Sequence, residues 1–163
     1  MENGFGHLLN YIMDIKELIG IIDKDLSPIG FKRKNKNWFF ENLELIKNVE
    51  LQKSNYSNLY YLNYGFIIKE INVDSKSRHV FNQLGGSTTQ EKAFVKEFLD
   101  LESKNSKDID FFEDYLNRNL IYYLNKINTT DDLKKHIIND LPDLDMIPFV
   151  VKEYFNIPIG PEL

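Results

Sequence analysis

Apolar and polar residues alternate with a period of two in one part of the chain, residues 31–71, and that stretch predicts the sheet. Leu45, Val49 and Leu51 alternate with Glu44, Asn48, Glu50 and Gln52, with Lys47 on the apolar side and Ile46 on the polar side as exceptions. Tyr60, Leu62, Tyr64, Phe66 and Ile68 then share one face, and Tyr61, Asn63, Gly65 and Ile67 the other. Between the runs, Asn55-Tyr56-Ser57-Asn58 has turn chemistry. A loop of those residues sets an antiparallel register. It pairs Leu51 with Leu62, Val49 with Tyr64 and Leu45 with Ile68, and also Gln52 with Tyr61, Glu50 with Asn63 and Asn48 with Gly65. A slip of one residue would turn the polar set into the core, so the pattern itself selects this register. Residues 31–41 are expected as a third, edge strand joined near Asn42. A two-residue and a three-residue turn there send Trp38 and Phe40 to opposite faces, and the sequence leaves both open.

The rest of the chain has helical spacing. Phe5, Leu8, Leu9, Ile12, Ile15, Ile19, Ile22 and Leu26 predict one long amphipathic helix, ended by Ser27-Pro28, that packs on the sheet. After a polar loop over 72–77, residues 78–84 read as a fourth strand or a short helix, closed by Gly85-Gly86. Ser87-x-x-Gln90 and Thr88-x-x-Glu91 are overlapping capping boxes for a helix carrying Phe94, Val95, Phe98, Leu99 and Leu101. A flexible connection over 103–107 follows. Asp108 and Asp110 open a helix with Ile109, Phe112, Leu116, Tyr123 and Ile127 on its buried stripe. Thr129-x-x-Asp132 caps another helix with Leu133, Ile137, Ile138 and Leu141, and Pro148 starts a last one with Val150, Val151, Tyr154 and Phe155. The expected fold is α+β: a three- to four-stranded antiparallel meander packed by a long N-terminal helix, with a helical C-terminal half. We expect one domain over 1–163, with its sheet-bearing half at 1–102 and its helical half at 108–156.

Gly30-Phe31 is followed by basic residues and Trp38-Phe39, then by Val49-x-Leu51-Gln52-x-Ser54 and Asn63-x-Gly65. This set resembles an uncharacterised bacterial domain-of-unknown-function family whose core is a helix followed by a sheet. The resemblance covers roughly the first half of the chain. It implies that fold and a bacterial, intracellular setting, and it carries no activity; the absence of cysteine fits a reducing cytoplasm.

Composition narrows the chemistry. A hydrophobic fraction of 42% and an aromatic fraction of 13% exclude wholesale disorder. The absence of cysteine removes disulfides, thiolate metal sites and thiol nucleophiles. A net charge of −5 disfavours nonspecific nucleic-acid binding, which draws on counterion release by Lys and Arg. The start, Met-Glu-Asn-Gly, has no basic leader region, and no window approaches the ~18 apolar residues of a membrane span. Gly85-Gly86-Ser87 lacks the Lys-Ser/Thr of a phosphate loop, and His7, His79 and His136 lack metal spacing. Asp108-x-Asp110 with Glu113 and Asp114 lacks the glycine and closing glutamate of a calcium loop. No catalytic residue, metal ligand or cofactor is assigned.

Two candidate surfaces remain. The first is the polar face of the hairpin, Asn48, Glu50, Gln52, Tyr61 and Asn63 with Ser54 beside them, where Gly65 allows close approach of a ligand or partner. The second is the basic cluster Lys32, Arg33, Lys34 and Lys36, a candidate anion patch that also reads as the lysine-bearing edge that discourages strand association. The expectation is a non-enzymatic protein-interaction or immunity-type binding module. Its polar sheet face and acidic helix ends would meet a more basic protein partner. An enzyme acting on a phosphate-bearing substrate reached by Arg33 and Lys36 is the alternative, and it needs a deep pocket gathering Glu50, Gln52 and a histidine. A third reading is weak nucleic-acid binding through the basic cluster and Trp38.

Overall fold

A computed structural model describes residues 12–71, 79–85, 88–141 and 143–159. The expectations for Phe5, His7, Leu8, Leu9, the loop at 72–77, residue 78, Gly86 and Ser87 lie outside the described residues. Helix α1 (Ile15–Leu26) starts later than its apolar spacing implies. Asp14 caps it by accepting from the Glu17 amide at 2.8 Å, so Ile12 stands outside the helix, exposed, and Met13 is buried in its place. Full burial of Leu18, Ile22 and Leu26 stabilises the fold by about 1.5–3 kcal/mol each.

Two short strands, β1 (Lys32–Lys34) and β2 (Asn37–Glu41), stand where one was expected. Asn35 adopts a left-handed backbone (φ 56°), which asparagine tolerates better than most residues, and the chain reverses so that Lys34 pairs with Asn37. The connection to β3 (Leu45–Lys53) is the two-residue form, Leu43 and Glu44. The Asn42 amide donates to the Leu45 carbonyl at 3.0 Å, and the Asn42 side chain accepts from the amides of Glu44 and Leu45 at 3.0 and 2.9 Å. Trp38 therefore sits opposite Val49 and Phe40 opposite Lys47, both on the inner face. Strand β4 (Tyr60–Ile68) pairs with β3 in the register the alternation selects, at all six expected pairs, and the Ser54 amide closes the loop on the Leu59 carbonyl at 2.8 Å. Of the segment expected over 78–84 as a strand or short helix, the described part forms a strand, β5 (Val80–Gln83), beside β4. The sheet thus has five antiparallel strands in sequence order, not three or four, because the basic run folds back at Asn35 and β5 joins the far edge.

The inner face of the sheet, with Trp38, Leu45, Val49, Leu51, Leu62, Tyr64, Phe66 and Ile68 all buried, is the floor of the core. The helices are joined to that face: Trp38 Nε1 donates to Asp23 Oδ1 of α1 at 2.9 Å, and the Phe66 ring lies 6.3 Å from that of His136. Helix α2 (Thr89–Leu99) is capped by Thr88 and stacks Phe98 on Phe112 with ring centroids 3.9 Å apart. The connection over 103–107 is tied back, since Lys107 donates to the carbonyls of Glu97 and Asp100. The next helix, expected as one regular run, is α3 (Ile109–Leu116), a π turn (Asn117–Ile121) and α4 (Tyr122–Lys126) in series. Tyr115, Leu120 and Leu124 join Phe112, Leu116 and Ile127 in the core while Ile109 is exposed, and past the wider turn Leu124 rather than Tyr123 is the fully buried residue. Helix α5 (Thr130–Asp140) carries the expected capping box and buries Leu133 and Ile137, but Ile138 points to solvent. Pro148 caps α6 (Phe149–Phe155). None of the described helices is long and apolar enough to cross a membrane.

Candidate functional site

The strand register arranges the outer face of the sheet in rows. Gln52 and Tyr61 form the first. The second runs across four strands as Asn37, Glu50, Asn63 and Gln83, with Lys34 at its end on β1. The third reads Lys32, Phe39, Asn48, Gly65 and Phe81, and the fourth Glu41, Ile46 and Ile67. Five of the six residues singled out from sequence, Asn48, Glu50, Gln52, Tyr61 and Asn63, therefore do share one surface. Ser54, two residues beyond Gln52, lies beside them at the start of the hairpin tip, where its hydroxyl accepts from the Tyr56 amide at 3.2 Å.

The central amides on this face are already occupied. Asn63 is 1% exposed and donates to Gln52 Oε1 at 2.8 Å, and Asn48 donates to the Trp38 and Val49 carbonyls at 3.2 and 3.3 Å. Around them the aromatic side chains Phe39 (43%), Tyr61 (36%) and Phe81 (50%) are open to solvent. Sequence reasoning missed Phe39 and Phe81 as members of this surface, because both depended on strands whose register was undecided. At the β1–β2 end lies a trough of about 670 Å3 whose walls include Lys32, Phe39, Glu41, Ile46 and Ile67.

The basic cluster does not converge. Strand alternation keeps Lys32 and Lys34 on the outer face and turns Arg33 to the side of Trp38, where its Nε lies 3.9 Å from Asp23 Oδ1. Lys36 occupies the β1–β2 turn, with Nζ 5.5 Å from the centroid of the Tyr60 ring. Trp38 is fully buried and cannot stack on a base.

His136 lies beside Phe66 of the inner face, and His79 sits at the sheet edge just before β5. His79 accepts the Ile68 amide on Nδ1 at 2.8 Å, and burial holds its pKa below the ordinary value. His136 Nδ1 is 3.0 Å from Asp140 Oδ2 beside the ring of Tyr123; burial lowers its pKa, and Asp140 opposes that shift. A cavity of about 150 Å3 beside it is bordered by Lys126, Asp132 and Asn139. Tyr64, buried on the inner face and hydrogen-bonded by Asn82 at 3.1 Å, has its phenol pushed up to about 12 by burial. The acids at the start of α3 are engaged locally: Asp108 caps the Phe111 amide, Glu113 meets Lys24 at 3.2 Å, and Asp114 pairs with Arg118 at 2.9 Å. They belong to the helical layer, so the acidic helix ends and the polar sheet face are not one surface. Among the described residues no group of three His, Cys, Asp or Glu could hold a metal ion.

A family model for a domain of unknown function, DUF4304, matches residues 22–143. No curated protein and no solved structure matches the chain. The matched span, well over half of the sequence, holds all five strands, every described residue of the open face and the walls of the trough; the chain belongs to the DUF4304 family.

Proposed function

We propose that this chain is a non-enzymatic protein-interaction module of the bacterial cytoplasm that receives a partner on the outer face of its sheet. An immunity-type role, in which the partner's active region is covered, is the form that best suits a rigid receiving surface. One observation carries the reading: Phe39, Tyr61 and Phe81 are exposed around a centre where Asn63 already bonds to Gln52 and Asn48 to backbone carbonyls. Exposed aromatics around a satisfied polar centre favour desolvation by a partner, and aromatic residues are the enriched anchors of protein interfaces. The same centre argues against catalysis. General acid–base work needs a second titratable group with a different pKa near Glu50; His136 packs on Phe66 of the inner face, and the His79 ring is taken up by the Ile68 amide.

Titration calorimetry of the purified chain with each protein encoded beside its gene tests this. A complex is expected with one of them, and it is expected to be weakened in Tyr61→Arg. Association with none, or a complex indifferent to Tyr61→Arg and Phe81→Arg alike, overturns the reading.

A further inference from the structure

We propose that the trough at the β1–β2 end of the open face takes an extended, anionic peptide segment of the partner, bearing a large apolar side chain. This rests on the docking reading above and adds the chemistry of what docks. The trough exists because β1 is shorter than β2. β1 pairs only with Asn37, Trp38 and Phe39, so Phe40 and Glu41 have no strand on their outer side among the described residues. Gly30, with φ 92°, brings the chain close against the Phe40 ring at one wall of this gap; a Cβ there would lie 3.2 Å from the ring. Ile46 and Ile67, paired across β3 and β4, and the exposed ring of Phe39 supply apolar walls.

Charge fixes the sign of the occupant. Glu41 is neutralised by Lys69, whose Nζ is 2.6 Å from its carboxylate and also donates to the Asn42 carbonyl at 3.0 Å. Lys32 and Lys34, on the same face as Phe39, have no ion-pair partner among the described residues. A protein of net charge −5 thus presents the Lys32 ammonium group in the wall of an apolar trough, with Lys34 two residues along the same face, neither ion-paired among the described residues. Burial of the apolar side chain supplies affinity there, and the lysines select a carboxylate over an ammonium group next to it. The strandless stretch of β2 favours a peptide over a small amphiphilic acid, since only a peptide backbone can continue the sheet.

The test titrates three probes into the isotope-labelled full chain, followed by amide NMR. Two are blocked peptides that share one phenylalanine and one leucine and carry glutamates in one case and lysines in the other; the third is decanoate. The glutamate peptide is expected to shift the amides of Phe39, Ile46 and Ile67 and to bind about tenfold more tightly than the lysine peptide. Lys32→Glu, at an exposed site, is expected to abolish or reverse that preference while leaving distant resonances in place. Equal affinities, no binding of either peptide, or shifts confined to Gln52 and Tyr61 overturn the assignment, and so does decanoate binding the trough more tightly than the glutamate peptide. The docking reading fails separately, on Tyr61→Arg at the other end of the face, which leaves the trough intact.

Discussion

Lys47 occupies an apolar position of β3 because its ammonium group reaches the end of a helix. Nζ donates to the Leu124 carbonyl of α4 and, at 2.9 Å, to Asn128 Oδ1, and it lies 5.0 Å from the centroid of the Phe40 ring. A cation there meets the negative end of the helix dipole. Burial, at 3% exposure, nevertheless pushes its pKa from 10.5 down to about 8, with the Asp132 carboxylate pulling the other way. The folded value is the lower one, so between those limits the unfolded chain holds more protons and stability rises with pH; that gain is lost as pH falls through about 8. Urea denaturation at neutral pH and at about 9.5 should show wild type gaining stability relative to Lys47→Met. The same pH dependence in both proteins would contradict this. Trp38 gives a second residue-scale outcome. Asp23→Ala strips the buried indole N–H of its acceptor and should cost about 1–3 kcal/mol, whereas Asp23→Asn keeps an oxygen there and should cost less. Urea midpoints of the two variants decide it. Lys47 and Ile46 were both legible as breaks in the alternation, but their purposes were not. Lys47 answers to a helix end 77 residues away in sequence, and Ile46 to its pairing with Ile67 across the trough.

At the scale of elements, the β3–β4 hairpin could be read with its register because a period of two and the Asn55–Asn58 turn residues agree on one pairing. The split of the first edge into β1 and β2 could not. It depends on a positive φ at Asn35, inside a run of lysines that carries no hydrophobic signal. The π turn at Asn117–Ile121 was equally hidden, since one widened turn leaves apolar residues at spacings that still look helical. The start of α5 was plain in the sequence, and it does more than cap. Thr129 accepts from the Asp132 amide at 3.1 Å, and the neighbouring Thr130 hydroxyl donates to Glu44 in the β2–β3 turn at 2.9 Å, so this helix start is pinned to the sheet. Thr129→Ala should lower stability by about 1 kcal/mol in denaturant unfolding, and Thr129→Ser should restore most of it. An unchanged midpoint for Thr129→Ala would mean that the cap carries no weight here.

For the whole molecule, the sheet divides the structure into a face that builds the core and a face left for something else. The inner rows meet α1, α4 and α5 through Trp38, Lys47 and Phe66, and burying them is what lets the helices pack. The outer rows grade from polar at Gln52, Glu50 and Asn63 to apolar at Ile46 and Ile67, with Lys32 and Lys34 along one side. The polar half of that face was visible from alternation alone. Its aromatic and apolar members emerged only when the β2–β3 turn and the β5 strand assigned Phe39 and Phe81 to the same side. The most direct measurement is the affinity of the partner complex for paired arginine substitutions on the two sides of the molecule. Tyr61→Arg with Phe81→Arg should weaken binding by about 2 kcal/mol or more, roughly thirtyfold, while Phe111→Arg with Phe149→Arg on the helical side leaves it within about twofold. Binding that survives the sheet-face pair and is lost with the helix-side pair would contradict the account.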